Sequence, residues 1–356
     1  MNLVSDMPAP TFSAATQHGR FLMPAESARH SHTLMAFPSR ESAESTEHLE
    51  ALQIEVTNIA NTISRFEPVH LYAKEELIPE AKSMVKAGVS VKPATVSELW
   101  IRDSGPVFVQ DLSTGKRTAI KFNFNYWGGK LPSIGDENIA SQIAAHANEP
   151  SVASNLTLEG GGIEHDGEGT FLGTESSIIN DNRNPGLSKS DVEARLRDLL
   201  GVRHFIWIPG VKAYDITDYH IDALARFTSP GVVLLSKPGR NAHPTAVDVY
   251  NSALSILRDT RDGKGRALTV HDCEEPDITQ LGPPDKHNEV IGSYANYLLV
   301  NGGVVMPKFG QERQDTAALE LFRRLFPERE VVQVPINILP RTGGGIHCAT
   351  QQVPEI

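Results

Sequence analysis

Four side chains in this sequence have the types and settings from which covalent chemistry on a small molecule is built. Cys348 follows a glycine triplet in Arg341-Thr342-Gly343-Gly344-Gly345-Ile346-His347-Cys348-Ala349-Thr350-Gln351-Gln352. Glycines ahead of a thiol allow a turn that leaves the sulfur open to an electrophile. The same residue also reads as a small buried hydrophobe, the common fate of a lone cysteine. Cys273, in His271-Asp272-Cys273-Glu274-Glu275, is the poorer nucleophile, because adjacent carboxylates disfavour a thiolate. His220 and Asp222 stand in Asp215-Ile216-Thr217-Asp218-Tyr219-His220-Ile221-Asp222-Ala223. On a strand they share a face, a proton carrier beside a cation anchor, or else they are a solvated strand end. Asp103, in Trp100-Ile101-Arg102-Asp103-Ser104-Gly105-Pro106, is a site carboxylate or half of a surface ion pair with Arg102. Trp100 is a core candidate. Glu159, ahead of Gly160-Gly161-Gly162, is an exposed turn residue or a carboxylate aimed into a site. No further ligand at metal spacing accompanies the histidine, so no metal centre is expected.

These residues are spread from position 103 to 348, so the fold has to gather them. Short strand-like runs at 33–37, 69–73, 106–110, 118–124, 156–159, 170–173, 204–208, 232–235, 268–271, 297–300, 304–306 and 331–334 alternate with helical patterns. Leu52, Val56, Ile59 and Ile63 form one helical stripe, and 75–86, 138–146, 246–257 and 315–325 read as helices. Ser190-Asp191-Val192-Glu193 reads as a capping box for a helix that Gly201 closes. The alternation predicts an α/β fold. Trp127-Gly128-Gly129, Glu159-Gly160-Gly161-Gly162, Asn301-Gly302-Gly303 and Thr342-Gly343-Gly344-Gly345 recur near strand ends and point to repeated units. A polar arm over 1–20 precedes one domain over 21–356, with no linker inside it.

Composition narrows the function. The 356 residues are 40% hydrophobic and 22% charged, as in a globular protein, and carry a net charge of −11. That charge weighs against nucleic-acid binding and suits a cationic ligand. Two cysteines make neither a disulfide framework nor a four-thiolate zinc site. Neither a membrane span nor a signal-like start is visible, so a cytoplasmic location is expected. Phosphate-loop, serine-elbow and zinc-helix motifs are missing. Gly167-Glu168-Gly169-Thr170-Phe171-Leu172-Gly173 reads as a turn entering a strand, since Glu168 would repel a pyrophosphate.

Together the motifs around Trp100–Pro106, Leu158-Glu159-Gly160-Gly161, His220-Ile221-Asp222 and Gly344–Gln352 resemble the agmatine deiminase family, in the guanidine-modifying pentein superfamily. Met23-Pro24-Ala25-Glu26 and Phe124-Asn125-Tyr126-Trp127-Gly128-Gly129-Lys130 add to the likeness, which runs from about Met23 to Gln352. The resemblance implies a five-bladed α/β-propeller of ββαβ-like units with the active site in its central channel. It implies hydrolysis of agmatine to N-carbamoylputrescine and ammonia without metal or organic cofactor, by a homodimer that binds no nucleic acid or membrane. Cys348 would be the nucleophile, His220 the proton carrier, and Asp103 and Asp222 the grips on the guanidinium. Glu159, Trp100 and Arg102 would complete substrate binding. Ser97-Glu98, Tyr219 where glycine is usual, and Leu34 and Phe37 in place of tryptophans depart from the family pattern. They bear on the distal end of the substrate, where a peptidyl-arginine or arginine deiminase would differ. An idle guanidine-binding member and an amidinotransferase are the other readings.

Overall fold

A computed structural model describes residues 19–285 and 289–356. The arm expected over 1–20 lies outside the described residues except at Gly19 and Arg20, and the Arg20 guanidinium pairs with Asp111 at 2.8 Å. The architecture is α/β, as the alternation predicts. Among the described residues five sheets repeat one unit: an antiparallel strand pair, a helix, and a third strand parallel to the second.

Val107–Asp111 pairs with Lys116–Lys121, the helix Ile139–His146 crosses over, and Ser151–Ala153 returns parallel. Glu164–His165, Thr170–Thr174, the helix Lys189–Leu200 and His204–Ile208 repeat the pattern. So do Ala225–Ser229, Val232–Lys237, the helix Pro244–Asp259 and Thr269–Glu274. Leu298–Val300, Gly303–Lys308, the helix Glu312–Leu325 and Glu330–Pro335 form the fourth unit. The fifth joins the ends of the chain. Thr350–Pro354 lies antiparallel to His30–Ala36, and the helix Thr46–Ile63 leads to Val69–Ala73 and then Val89–Pro93.

The hydrophobic period dictates these elements. Leu52, Val56, Ile59 and Ile63 are completely buried on one face of their helix, each contributing roughly 1.5–3 kcal/mol by leaving water. Val233, Leu234 and Leu235 are buried in succession, the pattern of a strand covered on both faces. Gly201 ends its helix in the left-handed region at φ 73, as expected.

Three local expectations change. The capping box is Ser188 with Asp191, two residues earlier than the sequence suggests. Residues 156–159 form no strand, because the Asn184 side chain bonds both Thr157 N–H and Thr157 C=O and takes the place of a neighbouring strand. His220 to Asp222 is likewise not extended. Asp215 Oδ1 accepts from the N–H groups of Thr217 and Tyr219, curling the loop through positive φ at Asp218 and Tyr219. His220 then caps a short 3₁₀ turn, Ile221–Ala223. Among the described residues no helix is long and apolar enough to cross a membrane.

Candidate active site

Each unit contributes the loop just ahead of its leading strand. Asp103 sits on the short helix Ile101–Ser104, before Val107–Asp111. Glu159 starts the turn Gly160–Gly162, before Glu164–His165. His220 and Asp222 precede Ala225–Ser229, and Cys348 precedes Thr350–Pro354. The fourth loop brings a residue the sequence did not single out. Asn296 lies two positions before Leu298–Val300, as Cys348 lies two before Thr350.

The loops meet around Gly161. A Cβ there would lie 2.6 Å from His220 Nδ1, 2.9 Å from Asp103 Oδ1 and 3.1 Å from Asp222 Oδ2. One point thus touches the imidazole and both acids. Asp103 is fixed by Trp127 Nε1–H and by Gly161 N–H, each at 2.9 Å. His220 sets Nε2 3.4 Å from Glu159 Oε2 and Nδ1 3.7 Å from Asp103 Oδ2. Glu159 is anchored in turn by buried Arg183, whose Nε donates to Oε1 at 2.7 Å. The Cys348 thiol donates to Asp222 Oδ2 at 3.5 Å and accepts from Asn296 Nδ2–H at 3.2 Å. Among the described residues His220 Nδ1 and Asp222 Oδ1 are buried without a hydrogen-bond partner. His220, Asp222 and Cys348 all line one pocket that opens to solvent.

Electrostatics sort the roles. Burial opposes charge on His220, but Asp103 and Glu159 outweigh it and raise the imidazole to about 9. Burial and the carboxylates of Asp222 and Asp103 hold the Cys348 thiol well above its usual range. The site therefore pairs a charged imidazolium with a neutral thiol near neutral pH. Burial raises Asp103 to about 6, against the pull of His220. Asp222 overcomes its burial through His347 and stays below the usual carboxylate range. Cys273 is buried and pushed up to about 12 by that burial and by Glu275, in keeping with a poor nucleophile. Among the described residues no group of three or more His, Cys, Asp or Glu side chains is arranged to hold a metal ion.

Comparison with known proteins gives this arrangement a family. The model of the Porphyromonas-type peptidyl-arginine deiminase family matches residues 22–354. The chain belongs to that family. An agmatine deiminase of Pseudomonas aeruginosa (strain LESB58) is 36% identical over 94% of this chain and 95% of its own length. One from Stutzerimonas stutzeri (strain A1501) is 35% identical over 97% of this chain and 98% of its own length. The solved agmatine deiminase of Enterococcus faecalis superposes with a TM-score of 0.85 at 29% identity, over 94% of this chain and 96% of that one.

The peptidyl-arginine deiminase match spans every residue of the cluster, but two sequence expectations are redirected. The Arg102 guanidinium does not face the pocket: Nε donates to the His347 carbonyl at 3.3 Å and Nη2 lies 3.9 Å from Glu26. Trp100 packs beneath Gly344, where a Cβ would come within 2.4 Å of its ring. Arg102 and Trp100 hold the Cys348 loop, whose carbonyl accepts from Arg102 N–H at 3.2 Å. Neither is among the residues that line the pocket, and both support the Cys348 loop, which their own sequence neighbourhood could not reveal.

Gly161 supplies a direct check of the cluster. Gly161→Ala drives a methyl into His220, Asp103 and Asp222. Turnover is expected to fall about 10²-fold, the usual cost of displacing reacting groups by about 1 Å. Steady-state kinetics beside a thermal melt separates this from unfolding, and wild-type turnover would show that the cluster is not the reacting centre.

Proposed function

We propose that this protein hydrolyses agmatine to N-carbamoylputrescine and ammonia through a covalent thiouronium on Cys348. The observation that carries the reading is the meeting of Cys348, His220 and Asp222 on one pocket, with Asp103 and Glu159 directly behind, in a chain that matches an agmatine deiminase over 94% of its length. We read the five ββαβ units as blades around that pocket, since each sends its leading loop there.

A guanidinium is a poor electrophile because its charge is delocalised. Asp222 Oδ1, buried and unpartnered, and Asp103 grip its N–H groups and hold its carbon above the sulfur. The bound cation also offsets the burial and the carboxylates that keep Cys348 protonated, so on substrate arrival the thiol proton passes to solvent and the sulfur attacks as thiolate. Asn296 Nδ2–H steadies the sulfur as charge develops. The Sγ–C bond forms, a C–N bond breaks, and His220 gives its proton to the departing nitrogen, releasing ammonia. Water then attacks the thiouronium carbon, His220 takes back one of its protons, and the S–C bond breaks as the remaining hydroxyl proton returns to the sulfur. Glu159, tied to Arg183, orients His220 throughout.

The outer pocket favours a second cation over a carboxylate. Asp215, Glu275 and Glu289 line it beside Tyr214 and Tyr219, and its described lining residues include no lysine or arginine. Burial pushes Glu275 up to about 7 and Glu289 up to about 8, so an ammonium nearby restores charge to both. Arginine would set its own carboxylate among these acids. Ammonia release from agmatine should exceed that from arginine and from peptidyl-arginine by about 10²-fold or more in kcat/KM. Equal or better release from either arginine substrate overturns the agmatine assignment, and no release from any of the three overturns the deiminase reading.

A further inference from the structure

The motif Ile346-His347-Cys348 carries a histidine to which the reaction above gives no task. His347 is 1% exposed, and each ring nitrogen lies 2.8 Å from a carboxylate oxygen: Nδ1 from Asp222 Oδ2, and Nε2 from Glu26 Oε2. Glu26 is itself immobilised. Arg226 Nη2 donates to its Oε2 at 2.7 Å and Leu299 N–H to its Oε1 at 2.9 Å. Arg226 in turn donates to Glu164 and to the carbonyls of Ala295 and Tyr297. Behind Asp222 there is thus a rigid post, Glu26 with Arg226, and a strut, the His347 ring.

The strut matters because of how the Asp222 oxygens are used. Oδ2 is engaged by His347 and by the Cys348 thiol. Oδ1 is buried and has no partner among the described residues. A carboxylate tied at one oxygen cannot swivel, so the direction of its free oxygen is set before any ligand arrives. Untied, Asp222 would be free to turn toward His220, whose Nδ1 also lacks a hydrogen-bond partner among the described residues.

We propose that His347 is a positioning residue that braces Asp222 against Glu26, so that Asp222 Oδ1 meets the substrate guanidinium. This rests on the reading that Asp222 grips that group.

The side-chain nitrogen of asparagine falls near the Nδ1 position of a histidine, and that of glutamine near Nε2. His347→Asn therefore keeps a donor to Asp222 and loses Glu26, whereas His347→Gln keeps the Glu26 contact and loses Asp222. His347→Asn should raise KM for agmatine about three-fold, as the far end of the brace is lost, while His347→Gln raises it about ten-fold or more with a smaller change in kcat. Should glutamine match or surpass asparagine, or both leave KM at the wild-type value, the brace is refuted. Glu26→Gln loosens the far end without entering the pocket and is read if the histidine variants do not fold. It should raise KM about three-fold at constant kcat, and an unchanged KM there also refutes the proposal. Failure of the agmatine reading is separate, since it appears as inactive wild-type protein. Crystal structures of the two histidine variants then decide: Asp222 turned in the glutamine variant alone upholds the brace, and Asp222 unmoved in both removes it.

Discussion

Cys348→Ala is expected to end ammonia release from agmatine, with a loss of about 10⁴-fold or more in kcat, while agmatine still binds. The two halves follow from separate groups. Bond cleavage needs a nucleophile on the guanidinium carbon, and among the described residues the pocket holds no second thiol, since Cys273 is buried elsewhere. Binding needs the acids, and Asp103 stays fixed by Trp127 and Gly161, as Asp222 does by His347. Binding should tighten slightly, because the cation no longer has to draw a proton off a buried thiol held well above its usual range. Calorimetry with agmatine and an ammonia assay on the same preparation read both. Residual turnover within about ten-fold of wild type would show that water attacks without a covalent intermediate, and the thiouronium route would be abandoned.

Chemistry was legible in the sequence where one residue type has few other uses in its setting. A cysteine behind three glycines, a histidine two residues from an aspartate, and carboxylates beside glycine turns stand out singly. Their order along the chain made them specific. Asn296 did not stand out, because a lone asparagine between Ala295 and Tyr297 looks like any loop residue. What marks it is position, two residues before a leading strand, and that emerges once the five units are aligned. Arg183 was missed for another reason: its partner Glu159 is 24 residues away, and neither neighbourhood shows that the pair is buried. Secondary structure was legible where hydrophobic period and length agree, as in the strand Val69–Ala73 and the helix Thr46–Ile63. It was illegible where a side chain replaced the sheet, as Asn184 does at Thr157, or where Asp215 curls the His220 loop. Tyr219 shows the cost of that curl. It stands at φ 76, a backbone region that favours glycine, and its carbonyl is held by Thr174 Oγ1 at 2.6 Å.

His220→Asn carries the second large effect, a fall of about 10²–10⁴-fold in kcat. The nitrogen leaving the tetrahedral adduct departs as ammonia only if a proton reaches it, and in the proposed mechanism His220 donates it. Burial works against that charge, yet Asp103 and Glu159 raise the imidazole to about 9, so it is protonated in the resting site near neutral pH. Wild-type kcat/KM should therefore decline as pH rises through about 9, and the variant should lose that limb while keeping any decline caused by other groups. The same shift has a thermodynamic sign. The imidazole rises from 6.5 to about 9 on folding, so its contribution to stability is complete below 6.5 and disappears as pH climbs through 9. Melting temperature should drop across that window in the wild type and change less in His220→Asn. An alkaline limb that survives in the variant would move the proton donor to another group. A wild-type melting temperature that is flat across the window would place the His220 charge elsewhere than between Asp103 and Glu159, and with it the orientation on which departure of ammonia depends.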